Sequence, residues 1–177
     1  MSLIEKARIF ATEAHGANNQ RRKYTNLPYI THPQSVVAIL RSVGITDQAT
    51  LCAAWMHDVL EDCPGVASCE IGVCFSPEIE HMVVMLTDTP AGRGLNRARR
   101  KAIDRVRLSC ADHRVQSIKV ADLIDNSSTI AAFDPEFAKI YMAEKEALMK
   151  VLQKAHLGLQ NRAIGILDAY YETAGAA

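Results

Sequence analysis

The chain has 177 residues, 49% of them apolar and 23% charged, and its 20 Lys and Arg balance 20 Asp and Glu. That composition fits one water-soluble globular domain spanning 1–177, and the zero net charge gives no case for binding nucleic acid or an anionic membrane. Five cysteines (Cys52, Cys63, Cys69, Cys74, Cys110) without a CxxC pair speak against a zinc framework. The charges at Glu5, Lys6 and Arg8 interrupt what would be the apolar core of a signal peptide, and no run approaches the ~20 apolar residues of a membrane span, so a cytoplasmic protein with reduced thiols is expected.

The periodicity is helical almost throughout. Leu3, Ala7, Phe10, Ala11 and Ala14 form one stripe at spacings of three and four, which predicts an amphipathic first helix. The polar connector "GANNQRRKYTNLP" follows. Pro33 fits the first turn of a second helix through Val36, Val37, Ile39 and Leu40, ending near Gly44. Thr46 or Asp47 can cap a third helix, which carries Leu51, Ala54, Trp55 and "HDVLED" and stops at Pro64 and Gly65. A short helix to Phe75 precedes one capped by Ser76 with Pro77 in its first turn. "TPAGRGLN" (89–96) reads as a loop.

Residues 96–110 predict a basic helix and 113–130 an apolar one. Asp134 and Pro135 open another, whose apolar face takes in Phe137, Ile140, Tyr141, Leu148 and Val151. The last uses Leu159, Ala163, Ile166, Leu167 and Tyr170. No stretch alternates as a strand would. The fold class is all-α, a single helical bundle.

Polar residues intrude on this apolar pattern twice. In a continuous helix, His57 and Glu61 are four apart, as are Asp58 and Asp62, so all four share about half the circumference beside Ala53, Ala54 and Trp55. Burying them is costly unless a partner such as a metal ion is present; the competing reading is a solvated acidic helix end. In "IKVADLIDN", Asp122, Asn126 and Thr129 share a face, and His32 stands at a helix start in "PYITHPQS". His32, His57, Asp58 and Asp122 make an N2O2 set that suits Mn²⁺, Fe²⁺ or Zn²⁺ better than Ca²⁺. His15, His81, His113 and His156 lack a carboxylate at matching spacing and read as structural or surface residues.

H…HD…D in this order resembles the HD superfamily of metal-dependent phosphohydrolases. "RRKYTNLPYITHP", "AAWMHDVLED" and "IKVADLIDN" together resemble the stand-alone small alarmone hydrolases, relatives of the hydrolase half of bifunctional (p)ppGpp synthetase/hydrolases. The resemblance covers about residues 3–152. It implies metal ligation by His32, His57, Asp58 and Asp122, with Mn²⁺ as the usual ion ahead of Fe²⁺ or Zn²⁺. It also implies that Glu61 and Asp62 position or deprotonate the attacking water. Arg22 and Lys23 then contact base and phosphates, and Asn126 and Thr129 hold the nucleoside.

The implied reaction removes the 3′-diphosphate of (p)ppGpp or (p)ppApp as pyrophosphate, leaving GDP or GTP, or ADP or ATP. The partner is thus a small nucleotide alarmone; nothing in the sequence assigns an oligomeric state. "ADLIDN" departs from the bifunctional enzymes by having Asp125 where they usually carry His.

A polyphosphate substrate needs local cations. Arg97, Arg100 and Lys101 lie on one face of the basic helix and could supply them; equally, that helix could be a solvated face paired through Asp104. Lys139, Tyr141 and Lys145 form a weaker phosphate or stacking set, and Tyr141 reads first as core. Two other functions share the metal set: an HD phosphohydrolase of another phosphorylated nucleotide, such as the 2′-phosphate of NADPH, and a non-catalytic alarmone-binding module.

Overall fold

Each helix begins where a side chain can satisfy its free N–H groups. The computed structural model describes residues 1–88 and 94–175. The Ser2 hydroxyl accepts from Glu5 N–H and opens α1 (Leu3–Ala17). α2 (Thr31–Ser42) has Pro33 in its first turn and ends before Gly44, whose φ of +84° suits glycine. Asp47, not Thr46, caps α3 (Gln48–Met56). α4 (Val59–Asp62) and α5 (Ser68–Cys74) are short. Ser76 caps α6 (Pro77–Leu86), and Asn96 caps α7 (Arg97–Cys110). Asp112 caps α8 (His113–Phe133), and Asp134 caps α9 (Pro135–Met149), with Pro135 at its start. α10 (Leu157–Gly175) closes the fold.

The all-helical expectation holds among the described residues, where extended backbone pairs only at a single Arg21–Pro28 bridge. No described helix is long and apolar enough to cross a membrane. The five cysteines are unpaired. Most of the loop expected at 89–96 lies outside the described residues; Gly94 turns with φ +83° just before the α7 cap.

α8 is the central rod, packed by α2, α3, α6, α7, α9 and α10, while α3 packs between α1, α2 and α6. Val115, Ile118, Val120, Leu123 and Ile124 are buried on several sides of α8, so its apolar pattern is nearly continuous. Asp122 is buried in the same helix.

Two expectations need correction. The third helix is not continuous through "HDVLED": it ends at Met56, and α4 starts afresh at Val59. Asp58 sits at φ −101°, ψ −3°, off the regular helical value. Neighbouring side chains on a regular helix diverge by about 100°, whereas the break lets His57 Nε2 and Asp58 Oδ2 approach to 3.1 Å. On α9 the buried stripe is Ala138, Met142, Lys145 and Met149, and Ile140 is 53% exposed. The observed stripe holds one alanine and one lysine, so a search for large apolar residues chose the adjoining face.

Candidate metal centre and active site

The connector between α1 and α2 folds back on itself because Asn19 (φ 48°) and Asn26 (φ 56°) adopt left-handed conformations, which asparagine tolerates. Arg22 N–H donates to Leu27 O, and Tyr29 N–H to Gln20 O, which delivers Tyr29 and His32 to the break between α3 and α4. α8 supplies Asp122 from the opposite side.

His32, His57 and Asp58 bring one ligand atom each to within 4.8 Å of one another. The Nε2 atoms of the two imidazoles are 3.2 Å apart, Asp58 Oδ2 lies 3.5 Å from that of His32, and Asp122 Oδ1 lies 3.1 Å from it. Ligands about 2.1 Å from a shared ion stand roughly 3.0–3.4 Å from each other, so the spacing fits a metal.

The proton positions fit as well. His57 Nδ1–H donates to Ala54 O at 2.9 Å, and His32 Nδ1–H donates to Asp125 Oδ2 at 2.7 Å. Both neutral rings then aim an unprotonated Nε2 at each other, that of His57 also at Asp58 and that of His32 at Asp58 and Asp122. Such an electron-rich focus needs a cation, and carboxylate or carbonyl support behind each imidazole is the usual backing of a metal-binding histidine.

Without an ion, protons substitute. Burial alone would lower His32, but Asp122 and Asp125 outweigh it and hold the ring up at about 10. Asp58 raises His57 against its burial. Burial pushes Asp58 and Asp122 up, yet His57 and His32 keep Asp58 well below the carboxylate range, and Lys119 with His32 does the same for Asp122.

Asp58 and Asp122 face a cavity of about 240 Å³ whose wall also includes Tyr29, Glu61, Asp88, Arg97, Lys101, Lys119, Asn126, Tyr141, Glu144 and Lys145. Desolvation, then the charges of Asp88 and Asp58, raise the Glu61 carboxyl above its usual range. A second cavity of about 150 Å³ adjoins through Tyr29 and Asn126, with Arg22, Lys23, Tyr24, Thr129 and Ile130 in its wall.

A family model described as the HD domain matches residues 7–155. The chain belongs to the HD-domain family. Within it, the chain is 34% identical over 137 residues to the Xenopus tropicalis protein named guanosine-3′,5′-bis(diphosphate) 3′-pyrophosphohydrolase MESH1, covering 76% of this chain and 73% of that one. It is 29% identical over 166 residues to the GTP pyrophosphokinase rsh of Brucella ovis, covering 90% of this chain but only 21% of the relative. The chain therefore spans about a fifth of the length of the Brucella relatives it matches. A solved structure described as a metazoan ortholog of SpoT that hydrolyzes ppGpp superposes with TM-score 0.85 at 24% identity, covering 100% of this chain and 98% of that one. At that identity it establishes the shared fold. An HD domain implies a divalent metal, in keeping with the His–His–Asp cluster.

Not every residue expected at the site of this HD domain faces the cavities. Glu61 does, but Asp62 turns away: its Oδ2 accepts from Gln20 Nε2 at 2.8 Å, and Gln20 Oε1 lies 2.6 Å from His15 Nδ1. Asp62 thus ties α4 to the connector. Arg22 pairs with Asp125 at 2.8 Å, and Lys23 reaches Asp134 Oδ2 at 3.2 Å and Tyr24 OH at 3.0 Å. Asn126 donates to Asp122 Oδ1 at 2.6 Å, and Thr129 lines the second cavity.

The basic helix turns two of its three expected cations to the first cavity and also pairs with acidic neighbours. Arg97 and Lys101 line the first cavity, while Arg100 bonds Leu95 O and stays outside it. Lys101 also reaches Asp88 Oδ2 at 2.7 Å and Asp104 at 4.0 Å.

Three contributors escaped the sequence reading. Tyr29 donates to Asp58 Oδ2 at 2.6 Å, Lys119 donates to Asp122 Oδ2 at 2.8 Å, and Asp125 backs His32. Only Lys119 carried a usable signal, being three residues before Asp122 on one helix face.

Proposed function

We propose that the chain is a divalent-metal-dependent 3′-pyrophosphohydrolase of (p)ppGpp or (p)ppApp, with Mn²⁺ as the ion. The observation that carries this reading is the convergence of His32, His57, Asp58 and Asp122 at the edge of a cavity that also holds Glu61 and four cationic side chains. The MESH1 relative, named for this reaction on the guanosine compound, supports the substrate class.

An all-imidazole and carboxylate donor set without sulfur suits Mn²⁺. Bound there, the ion supplies an acidified water and draws charge from the phosphoryl oxygens. The chain's own residues do the rest. Glu61, with its raised pKa, accepts the proton of the attacking water at a carboxylate oxygen. The water oxygen bonds to the phosphorus carried on O3′, the P–O3′ bond breaks, and O3′ takes up a proton, so nucleotide and pyrophosphate account for every atom. Tyr29 and Asn126 fix the orientations of Asp58 and Asp122. Lys119, Lys101 and Arg97 oppose the substrate's charge at the cavity wall. Tyr24, Thr129 and Ile130 in the adjoining cavity suit the nucleoside.

The test is turnover of ppGpp, pppGpp, ppApp, pppApp and NADPH, each with Mn²⁺ and after EDTA, with products separated by chromatography. Pyrophosphate release from one base series, abolished by EDTA, is expected and identifies the base. Absence of turnover by protein that binds Mn²⁺ refutes the proposal.

A further inference from the structure

Among the described residues four cations line the first cavity, and three of them already have carboxylate partners. Lys119 pairs with Asp122 at 2.8 Å, Lys101 with Asp88 at 2.7 Å, and Arg97 with Glu144 at 2.7 Å. Lys145 differs. It is 1% exposed, and its hydrogen-bond partner is Ser127 Oγ at 2.9 Å; among the described residues it makes no ion pair.

Ser127 spends its own hydroxyl proton on Leu123 O, so its lone pairs face Lys145 and orient the ammonium from behind. Among the described residues the remaining N–H donors meet no protein acceptor, and the side chain borders the cavity.

A methionine at this position of the buried α9 stripe would satisfy packing without any charge, whereas an unpaired buried ammonium destabilises the fold. Burial lowers its pKa to about 8, which still leaves it mostly protonated at neutral pH. A group that costs stability in the free protein and borders a cavity is suited to an incoming anion, because accepting one breaks no existing ion pair.

We propose that Lys145 is a substrate-binding residue that receives the pyrophosphoryl group released in the reaction. This deepens the function proposed above and rests on it. The location selects this part of the substrate. Lys145 shares its cavity with Asp58, Glu61 and Asp122, the reacting end, whereas the adjoining cavity has the aromatic and apolar walls a nucleoside needs. Arg97, on the exposed face of α7, is better placed for the 5′ phosphates. Being buried, Lys145 can meet only a group that enters the cavity fully.

The test is calorimetric binding of inorganic pyrophosphate, and separately of GDP and ADP, to Mn²⁺-loaded protein freed of excess metal, with bound Mn²⁺ counted afterwards. Wild type is compared with Lys145→Met and Lys145→Gln, each checked by thermal melting. Pyrophosphate affinity is expected to fall at least tenfold in both variants, with the nucleoside diphosphates unchanged within twofold. Thermal stability in Lys145→Met should hold or rise.

Unchanged pyrophosphate affinity in either folded variant overturns the proposal, as does no pyrophosphate binding by wild type. An equal loss for GDP and ADP also overturns it. Wild-type turnover of the alarmones, measured alongside, separates failure of this assignment from failure of the proposed function.

Discussion

Asp125→Asn isolates how far a residue that never touches the ion sets its affinity. One oxygen of Asp125 accepts from His32 Nδ1 at 2.7 Å and from Arg22 at 2.8 Å, with about 14% of the carboxylate side chain exposed. The amide keeps the shape and one acceptor but removes the charge. The charge-assisted hydrogen bond from His32 becomes an ordinary one of roughly half the strength, the ion pair with Arg22 is lost, and Nε2 of His32 becomes less basic. Changes of this kind cost metal affinity about 10–100-fold, or ~1.4–2.7 kcal/mol. Calorimetry or electron paramagnetic resonance of free Mn²⁺ at neutral pH should read that loss. Because Asp125 is not part of the first cavity wall, kcat at saturating Mn²⁺ should recover to within a few-fold. A Kd unchanged within twofold in a folded variant would refute the claim that Asp125 tunes the ring.

Glu61→Gln should keep its Mn²⁺ stoichiometry by elemental analysis while kcat falls about 10²–10⁴-fold, the usual size of a general-base contribution; a loss below tenfold removes Glu61 from that role. The same carboxyl is raised by desolvation and by Asp88 and Asp58, and the base works only when ionised. The acid limb of log kcat against pH should therefore lie above the ordinary carboxylate range, and a limb at pH 4 or lower contradicts the assignment. In EDTA, stability should fall as pH rises. His32 is held at about 10 in the folded chain against ~6.5 unfolded, so its contribution is whole below pH 6.5 and is lost as pH climbs to 10. Lys145 titrates with the opposite sign, its folded value of about 8 lying below the unfolded one, so the melts are best run in Lys145→Met. A flat or rising profile there counts against the charged His32.

The elements were legible because their signals are local. Ser76 with Pro77 and Asp134 with Pro135 mark helix starts through groups a few residues away, and both helices begin there. The clustering of His32, His57, Asp58 and Asp122 was legible for a different reason: carboxylates and imidazoles in apolar helices are costly to bury without a partner, and their order resembles the HD family. Contacts between distant segments were not legible. Tyr29 reaches Asp58 across 29 positions, and Arg22 reaches Asp125 across 103, through a connector whose path depends on two left-handed asparagines. Spacing within one helix cannot encode such pairs.

The break at His57–Asp58 shows why the expected residues come together in a geometry other than the expected one. On an unbroken helix, adjacent side chains leave in directions about 100° apart, which sets His57 and Asp58 on different faces. With α3 ending at Met56 and α4 restarting at Val59, His57 Nε2 and Asp58 Oδ2 stand 3.1 Å apart and Ala54 O accepts from His57 Nδ1. That hydrogen bond fixes the tautomer presenting Nε2 to His32 and Asp58. The restarted turn points Glu61 into the cavity and lets Asp62 anchor to Gln20. The helix gives up regular hydrogen bonding at one point, and in return one short segment supplies two of the proposed ligands, the proposed base and its anchor.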